Sequence, residues 1–334
     1  MALKIKYSIF IVLFLFPASL CLGAGKVSRL SEIIECRSSF MGSVPELWSP
    51  LKMVVSGGHL VAYEDDGSFK IYDLPSSGAA TAHIQEQLTF SSRKHVDVRS
   101  IVPLPDGFLY FGQDLSMNRV SYRGESLSED IPSEGLLGPM NGIMPFKDGY
   151  LYLEPLFDGY DYLDCRTGKS TVFCKNPPWE DGVEGSNYIL RSSSAAVHPE
   201  GGLVAVFYTF HDKVIYYDSE GRVIKDMSLR LGGNQDDRWR GTPCFYKDIA
   251  ACNEKFIVAS YGKDEYHFFD WEGNLLRRVR LDRSLSPVAF DLSSNTFYGI
   301  DRSENPMRMY SARVGFSSGN AVSYKTGAGR IMKR

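Results

Sequence analysis

The sequence predicts an all-β fold: a six-bladed β-propeller with four-stranded blades, its ring closed by an N-terminal strand. Two interleaved series of turns carry this reading, recurring at about 40 to 55 residues, the spacing of propeller blades. The first series is Gly57-Gly58, Asp106-Gly107, Asp148-Gly149, Glu200-Gly201-Gly202, Asn253-Glu254 and Ser294-Asn295, each introducing a mostly apolar run. The second is Ser77-Gly78, Arg123-Gly124, Thr167-Gly168, Glu220-Gly221 and Glu272-Gly273, one member short of the first. No long capped helical pattern competes after the N-terminal leader, so helix is expected to be minor.

Taken in order, the chain opens with Lys4 and Lys6, the apolar run Ile9 to Phe16, and small residues up to Ala24. This is the pattern of a secretory signal over residues 1–24, too short to span a bilayer. Cys21 stands where a bacterial lipoprotein carries its lipidated cysteine, although Leu20 occupies a position usually held by a small residue. Lipidation of Cys21 and ordinary cleavage after Gly23 or Ala24 are both open. Either predicts an exported protein of the periplasm or cell envelope, touching membrane only through a lipid anchor.

Residues 27–314 are expected to form the propeller and 315–334 a flexible or loosely packed tail. Pro199 to Leu229 displays the blade plan most clearly: Gly201-Gly202 opens the run Leu203 to Tyr208, Val214 to Asp218 follows, and Glu220-Gly221 turns into Val223 to Leu229. Glycine supplies positive φ in such turns, and β-branched and aromatic residues fill the runs. Second strands read as continuous apolar runs, as strands buried on both faces do. Outer strands carry charges such as Arg222, Lys225 and Asp226, or Arg277, Arg278 and Arg280, which discourage edge-to-edge aggregation. The last unit, Ser286 to Val314, supplies about three strands. Val27 to Cys36 is the preferred source of the missing one, with Ala321 to Lys325 competing.

The segments IYDLPSSG, VSYRGESL, YLDCRTGKS, YYDSEGRVIKDMSL and FFDWEGNLLRRVRL resemble the recurring outer hairpin of the TolB-like six-bladed propellers exported by Bacteroidetes. The resemblance covers essentially the whole mature chain and implies fold and export rather than an activity. The chain lacks the Trp-Asp endings of WD40 blades, the kelch pattern and the YWTD tetrapeptide.

With 334 residues, a formal net charge of -3 and a pI near 6.1, the chain has no global field to attract nucleic acid or anionic lipid. Five cysteines follow the leader, so they cannot all pair internally. Cys165 and Cys174 fall out of register in the expected hairpin, and the cysteines read as small buried hydrophobes. No CxxC spacing marks a zinc site.

Propeller topology puts the tight glycine turns on one face. The turns between second and third strands share the other with the long connections Ile84 to Val98, Lys175 to Ser192 and Arg230 to Pro243, and binding is expected there. In NQDDRWRGT, Arg238 and Arg240 offer guanidinium forks around Trp239, an aromatic plane for a sugar or ring. The favoured explanation is an inter-blade ion-pair cluster with Asp236 and Asp237, with Trp239 packed as an anchor. Trp179, with Glu180, Asp181 and Glu184, lies in an acidic loop able to supply oxygen ligands to calcium, but without EF-hand spacing. Asp158, Tyr160, His211, Asp212 and Asp264 are expected in turns of the same face. His211 and Asp212 are adjacent, which in an extended chain does not make them a dyad. Gly315-Phe316-Ser317-Ser318-Gly319 matches G-x-S-x-G, but no Asp or His follows to complete a triad. No cofactor is implied, and a divalent metal is left open. The expectation is a non-enzymatic binding module for a protein, peptide or glycan, not nucleic acid. The alternative is a metal-dependent lactonase-like hydrolase using the central channel.

Overall fold

The computed structural model describes residues 32–74, 86–91, 98–112, 117–129, 141–154, 158–177, 188–239 and 241–315. The leader with Cys21, the start of the segment from Val27, Trp179, Arg240 and the tail beyond Gly315 lie outside the described residues.

Two short strands come first, β1 (Ile33–Cys36) and β2 (Ser39–Ser43). The first blade is β3 (Pro50–Ser56), β4 (His59–Glu64), β5 (Ser68–Asp73) and β6 (Glu86–Ser91). The second is β7 (Val98–Leu104), β8 (Gly107–Gly112), β9 (Met117–Ser121) and β10 (Ser126–Glu129). β11 (Asn141–Phe146), β12 (Gly149–Leu153), β13 (Gly159–Asp164) and β14 (Lys169–Lys175) form the third. The fourth is β15 (Ser193–Val197), β16 (Leu203–Tyr208), β17 (Val214–Asp218) and β18 (Val223–Met227). A hairpin, β19 (Asn234–Trp239) and β20 (Thr242–Cys244), leads to the fifth blade. That blade is β21 (Tyr246–Cys252), β22 (Ile257–Tyr261), β23 (Glu265–Phe269) and β24 (Leu275–Leu281). The sixth begins with β25 (Val288–Asp291), β26 (Thr296–Asp301) and β27 (Arg308–Arg313). Within each blade consecutive strands pair antiparallel, and the six innermost strands contact one another in a closed circuit: β3, β7, β11, β15, β21, β25 and back to β3.

An N-terminal strand closes the ring, as expected, though by two strands and not one. The segment expected to close it contributes Ile33–Cys36, which pairs parallel to β24 as a fifth strand of the fifth blade. The fourth strand of the sixth blade is the next one along, Ser39–Ser43, antiparallel to β27. β24 is therefore no free edge, and its arginines do more than guard one, as described below.

Six apolar clusters fill the seams between neighbouring blades. Phe69 of the first blade, for example, packs against Phe108 and Tyr110 of the second at ring distances of 5.1 and 5.0 Å. The second strands are buried almost throughout, as in LVAVFY of β16, whereas β18 is mostly open to solvent. Glycines at tight turns let neighbouring strands within a blade close up. A Cβ on Gly149 would stand 1.9 Å from the Leu163 carbonyl oxygen, and one on Gly107 2.1 Å from that of Val120. Asp164 and Asp218 each accept backbone N–H groups of the turn that follows, which holds both carboxyls below their usual range.

Several expectations need correction. Ile84 to Val98 is not wholly a connection, because Glu86–Ser91 within it is the outer strand of the first blade. Arg230 to Pro243 contains the hairpin β19–β20. Tyr160 is a buried residue of β13 rather than a loop residue. The cysteines agree with expectation: no disulfide joins the five outside the leader to one another, three of them are buried, Cys174 lies opposite Tyr160 in its hairpin and Cys165 is in the turn, out of register with it. Among the described residues no helix is long and apolar enough to cross a membrane; the 3₁₀ turn Tyr188–Arg191 is the helical segment.

Candidate functional site at the channel mouth

Every innermost strand starts on the face that carries the blade-to-blade connections, and four of the six are bulged near that start. In β3 the register slips between Pro50 and Lys52, in β7 between Val98 and Ser100, in β11 between Asn141 and Met144, and near the start of β21 between Tyr246 and Asp248. The extra residue falls at Leu51, at Arg99, in the Gly142–Ile143 pair and at Lys247. A bulge leaves one residue outside the ladder and re-aims its neighbours. Repeated around the axis, it turns the rim of the channel into a ring of displaced residues, of which Leu51, Gly142 and Lys247 are exposed. Ser100 donates to the Ile143 carbonyl at 3.1 Å and Ser194 to that of Lys247 at 3.1 Å, tying neighbouring innermost strands together at this level.

One carboxylate stands inside this ring. Asp248 is reached by solvent yet surrounded by protein, as a side chain on a channel wall is. Its charge acts on Tyr160 in the third blade and Tyr266 in its own, and it feels Lys52 of the first. Asp248 follows the bulge of β21, the innermost strand of its blade. Enclosure pushes its carboxyl above the usual range, while Lys52 and the Ile249 N–H pull the other way.

Beside the ring stands Trp48, on the connection from β2 to β3, with 85% of its surface exposed. Its loop is firmly held. The buried carboxylate of Glu64 accepts the N–H groups of Trp48 and Ser49, both at 2.9 Å, and Val44 and Leu47 are fixed by backbone bonds at 2.9 and 3.0 Å. A large aromatic side chain in water on an ordered backbone is what binding surfaces present.

A second polar group lies deeper, in the fifth blade. Glu265 accepts from His267 Nε2 at 2.8 Å, from Arg278 Nε at 2.8 Å and from Arg280 Nη2 at 2.8 Å. Against the burial that raises it, these donors bring Glu265 down to about 2. His267 is fully buried and stacked on Tyr261 at 4.5 Å, and its Nδ1 lies 3.1 Å from the Tyr246 hydroxyl. Burial lowers its pKa, so the neutral ring donates from Nε2 to Glu265 and accepts from Tyr246 at Nδ1. Both Glu265 oxygens are engaged, and the group serves as a clamp between β23 and β24.

Of the residues expected to form the site, Trp179 and Arg240 lie outside the described residues and the others are placed as follows. Asp158 pairs with Arg191 at 2.9 Å. Tyr160 is buried with its hydroxyl 3.3 Å from Ser193 Oγ, and burial raises its pKa well above the ordinary phenol value. Asp212 accepts from Ser228 Oγ at 2.8 Å and from the Leu229 N–H at 3.1 Å, capping the end of its own blade, and the His211 carbonyl accepts from the Lys213 N–H. Asp264, its carboxyl raised by burial, borders the Glu265 clamp through Arg280. Arg238 is exposed and reaches the Gly241 carbonyl at 3.5 Å; Trp239 is described only as a strand position opposite Thr242. Among the described residues no group of three or more His, Cys, Asp or Glu side chains is placed to hold a metal ion. Sequence reasoning missed Trp48, Leu51, Lys52, Lys247 and Asp248. The visible trace is charge near the start of first strands, Lys52 in SPLKMVV and Lys247-Asp248 in FYKDIAA, outside the loops where binding was expected.

Strand pairing and ring closure define a six-bladed β-propeller with its candidate site at the axial mouth. No protein-family model and no curated protein matches the chain. Among solved structures it is similar to the computationally designed protein Ika8, at 12% identity and a TM-score of 0.45 over 82% of this chain and 99% of that one. So distant a likeness adds nothing to the architecture read from the pairing itself.

Proposed function

We propose that this protein is an exported binding module of the TolB-like kind, without catalytic activity, that holds a protein, peptide or glycan on its connection-bearing face. The observation that carries the reading is Trp48, 85% exposed on a loop pinned by Glu64 beside the bulged rim of the channel. Tryptophan is enriched among the residues that dominate binding energy, and a backbone already fixed lowers the ordering cost of association. Export rests on the leader pattern of residues 1–24, and residence in the periplasm or envelope follows from it.

Glycan and peptide arrays probed with the mature protein and with Trp48→Ala test this. Binding of at least one class is expected to fall tenfold or more in the variant, with an unchanged melting temperature. Arrays on which the two proteins behave alike would sink the proposal.

A further inference from the structure

We infer that the Trp48 loop is a cation site that takes an arginine side chain of a peptide or protein partner. This rests on the reading above, in which Trp48 binds, and names the chemistry it binds. Three acidic residues are fixed to the backbone that carries the indole. Glu64, 2% exposed, holds the Trp48 and Ser49 N–H groups on its Oε2, both at 2.9 Å. Its other oxygen, Oε1, is buried and has no hydrogen-bond partner among the described residues. Asp65 follows it, exposed, and its N–H donates to the Ser49 carbonyl at 3.1 Å, so the turn after β4 runs beside the Trp48 backbone. Glu46, half-buried, sits in the turn closed by the Leu47 N–H on the Val44 carbonyl, just ahead of Trp48.

Negative charge is left over at this corner. Among the described residues no cation pairs with Glu46, Glu64 or Asp65. Asp66, the next acid in the turn, is engaged by the Ser68 N–H and Lys70, and Lys52 of the adjoining strand acts on Asp248. A buried carboxylate held by backbone N–H groups alone lacks the opposite charge that would compensate it, and salt screens it less than a surface group. A cation drawn toward it meets an open indole, whose ring face attracts positive charge. Arginine suits the combination best. Its planar guanidinium stacks flat on an aromatic ring while its N–H donors point outward from the edge toward carboxylates; a lysine ammonium is a compact, strongly hydrated point charge. A neutral sugar could stack on Trp48 but would leave the acids unanswered.

The full mature protein is titrated calorimetrically at low salt with a blocked tetrapeptide containing one arginine. The same peptide is then offered with lysine, and with citrulline, which keeps the shape of arginine without its charge. The arginine peptide is expected to bind at least tenfold more tightly than the citrulline one and severalfold more tightly than the lysine one, and to weaken at high salt. Asp65→Asn and Glu46→Gln should each weaken arginine binding severalfold while leaving citrulline binding unchanged. Glu64→Gln, which keeps an acceptor for the paired N–H groups, should weaken it further; melting temperatures show whether it folds, and the other two variants carry the test if it does not. Equal binding of arginine and citrulline, no binding of any of the peptides, preference for lysine, or acid variants without effect each overturns the inference. If Trp48→Ala loses a ligand on the arrays while Asp65→Asn and Glu46→Gln keep it and arginine shows no advantage, the wider reading survives and this one fails.

Discussion

The perturbation Glu265→Gln offers the most quantitative test of how the fifth blade is held. The side chain is 5% exposed and receives His267, Arg278 and Arg280. A carboxyl brought from 4.5 to about 2 is favoured in the folded state by about 3 kcal/mol. Glutamine keeps the shape and one acceptor but turns an amide N–H₂ toward cationic donors. Leaving two arginines without their shared anion in a largely buried place costs roughly 3–5 kcal/mol, as breaking a buried pair does. At about 2–4 °C per kcal/mol for a domain approaching this size, the melting temperature should fall by roughly 6–20 °C. Urea unfolding at pH 7 measures the free energy directly. The sign with pH is fixed: a depressed carboxyl contributes fully above its unfolded value, and its contribution is lost as pH falls from about 4.5 toward 2. The gap between wild type and variant should therefore narrow over that range. Arg280→Gln should cost less than Arg278→Gln, because Arg280 is more exposed and also reaches the exposed Glu35 at 3.5 Å. A loss below about 1 kcal/mol for Glu265→Gln would refute the reasoning, since it would mean the arginines find equal partners elsewhere.

Further outcomes follow from other parts of the molecule. His267, buried and facing Glu265, Arg278, Asp212, Tyr246 and Tyr261, resists protonation that the unfolded chain accepts near pH 6.5, so stability should decline below that pH; His267→Gln should flatten the decline in a series of melting curves from pH 7 to 5. Gly149→Ala and Gly202→Ala should differ sharply, because the first meets a carbonyl at 1.9 Å while the second meets nothing within 4 Å; denaturant unfolding should show a loss above 1 kcal/mol for the first and little change for the second. Met41→Ala in β2 should cost about 2–5 kcal/mol and loosen the sixth blade selectively, which hydrogen exchange along β27 would reveal.

Much of the architecture is legible in the chain because its turns are chemically forced. At Gly201 and Gly221 the backbone takes φ of 71° and 75°, which few other residues adopt without strain, so the punctuation stands out. What stays hidden is decided by context. EQLTFS and NQDDRW read as polar connections, yet each pairs with a neighbouring strand, since strand formation depends on the partner offered as much as on intrinsic preference. The arginines of β24 look like edge guards until β1 covers that edge and Glu265 appears beneath them. The site was harder still. A bulge is a property of two strands together, and no single-strand pattern announces that Leu51 or Lys247 leaves the ladder. Nothing in the sequence around Trp48 tells that its loop is held by Glu64 with the indole outside.

The ring is fastened by residues from opposite ends of the propeller. Cys36 Sγ meets the Arg313 carbonyl, Val44 donates to Met307, and Ser38 binds Asp282 and Arg283 across 244 and 245 residues. Closing so long a loop carries an entropy cost of about 5 kcal/mol beyond the constant for any loop, so the chain needs its other contacts in place before that step is favourable. During synthesis the strands that will complete the circle emerge first and wait, unpartnered, until the final blade has left the ribosome. Until the last strands are made, the polypeptide cannot finish its ring.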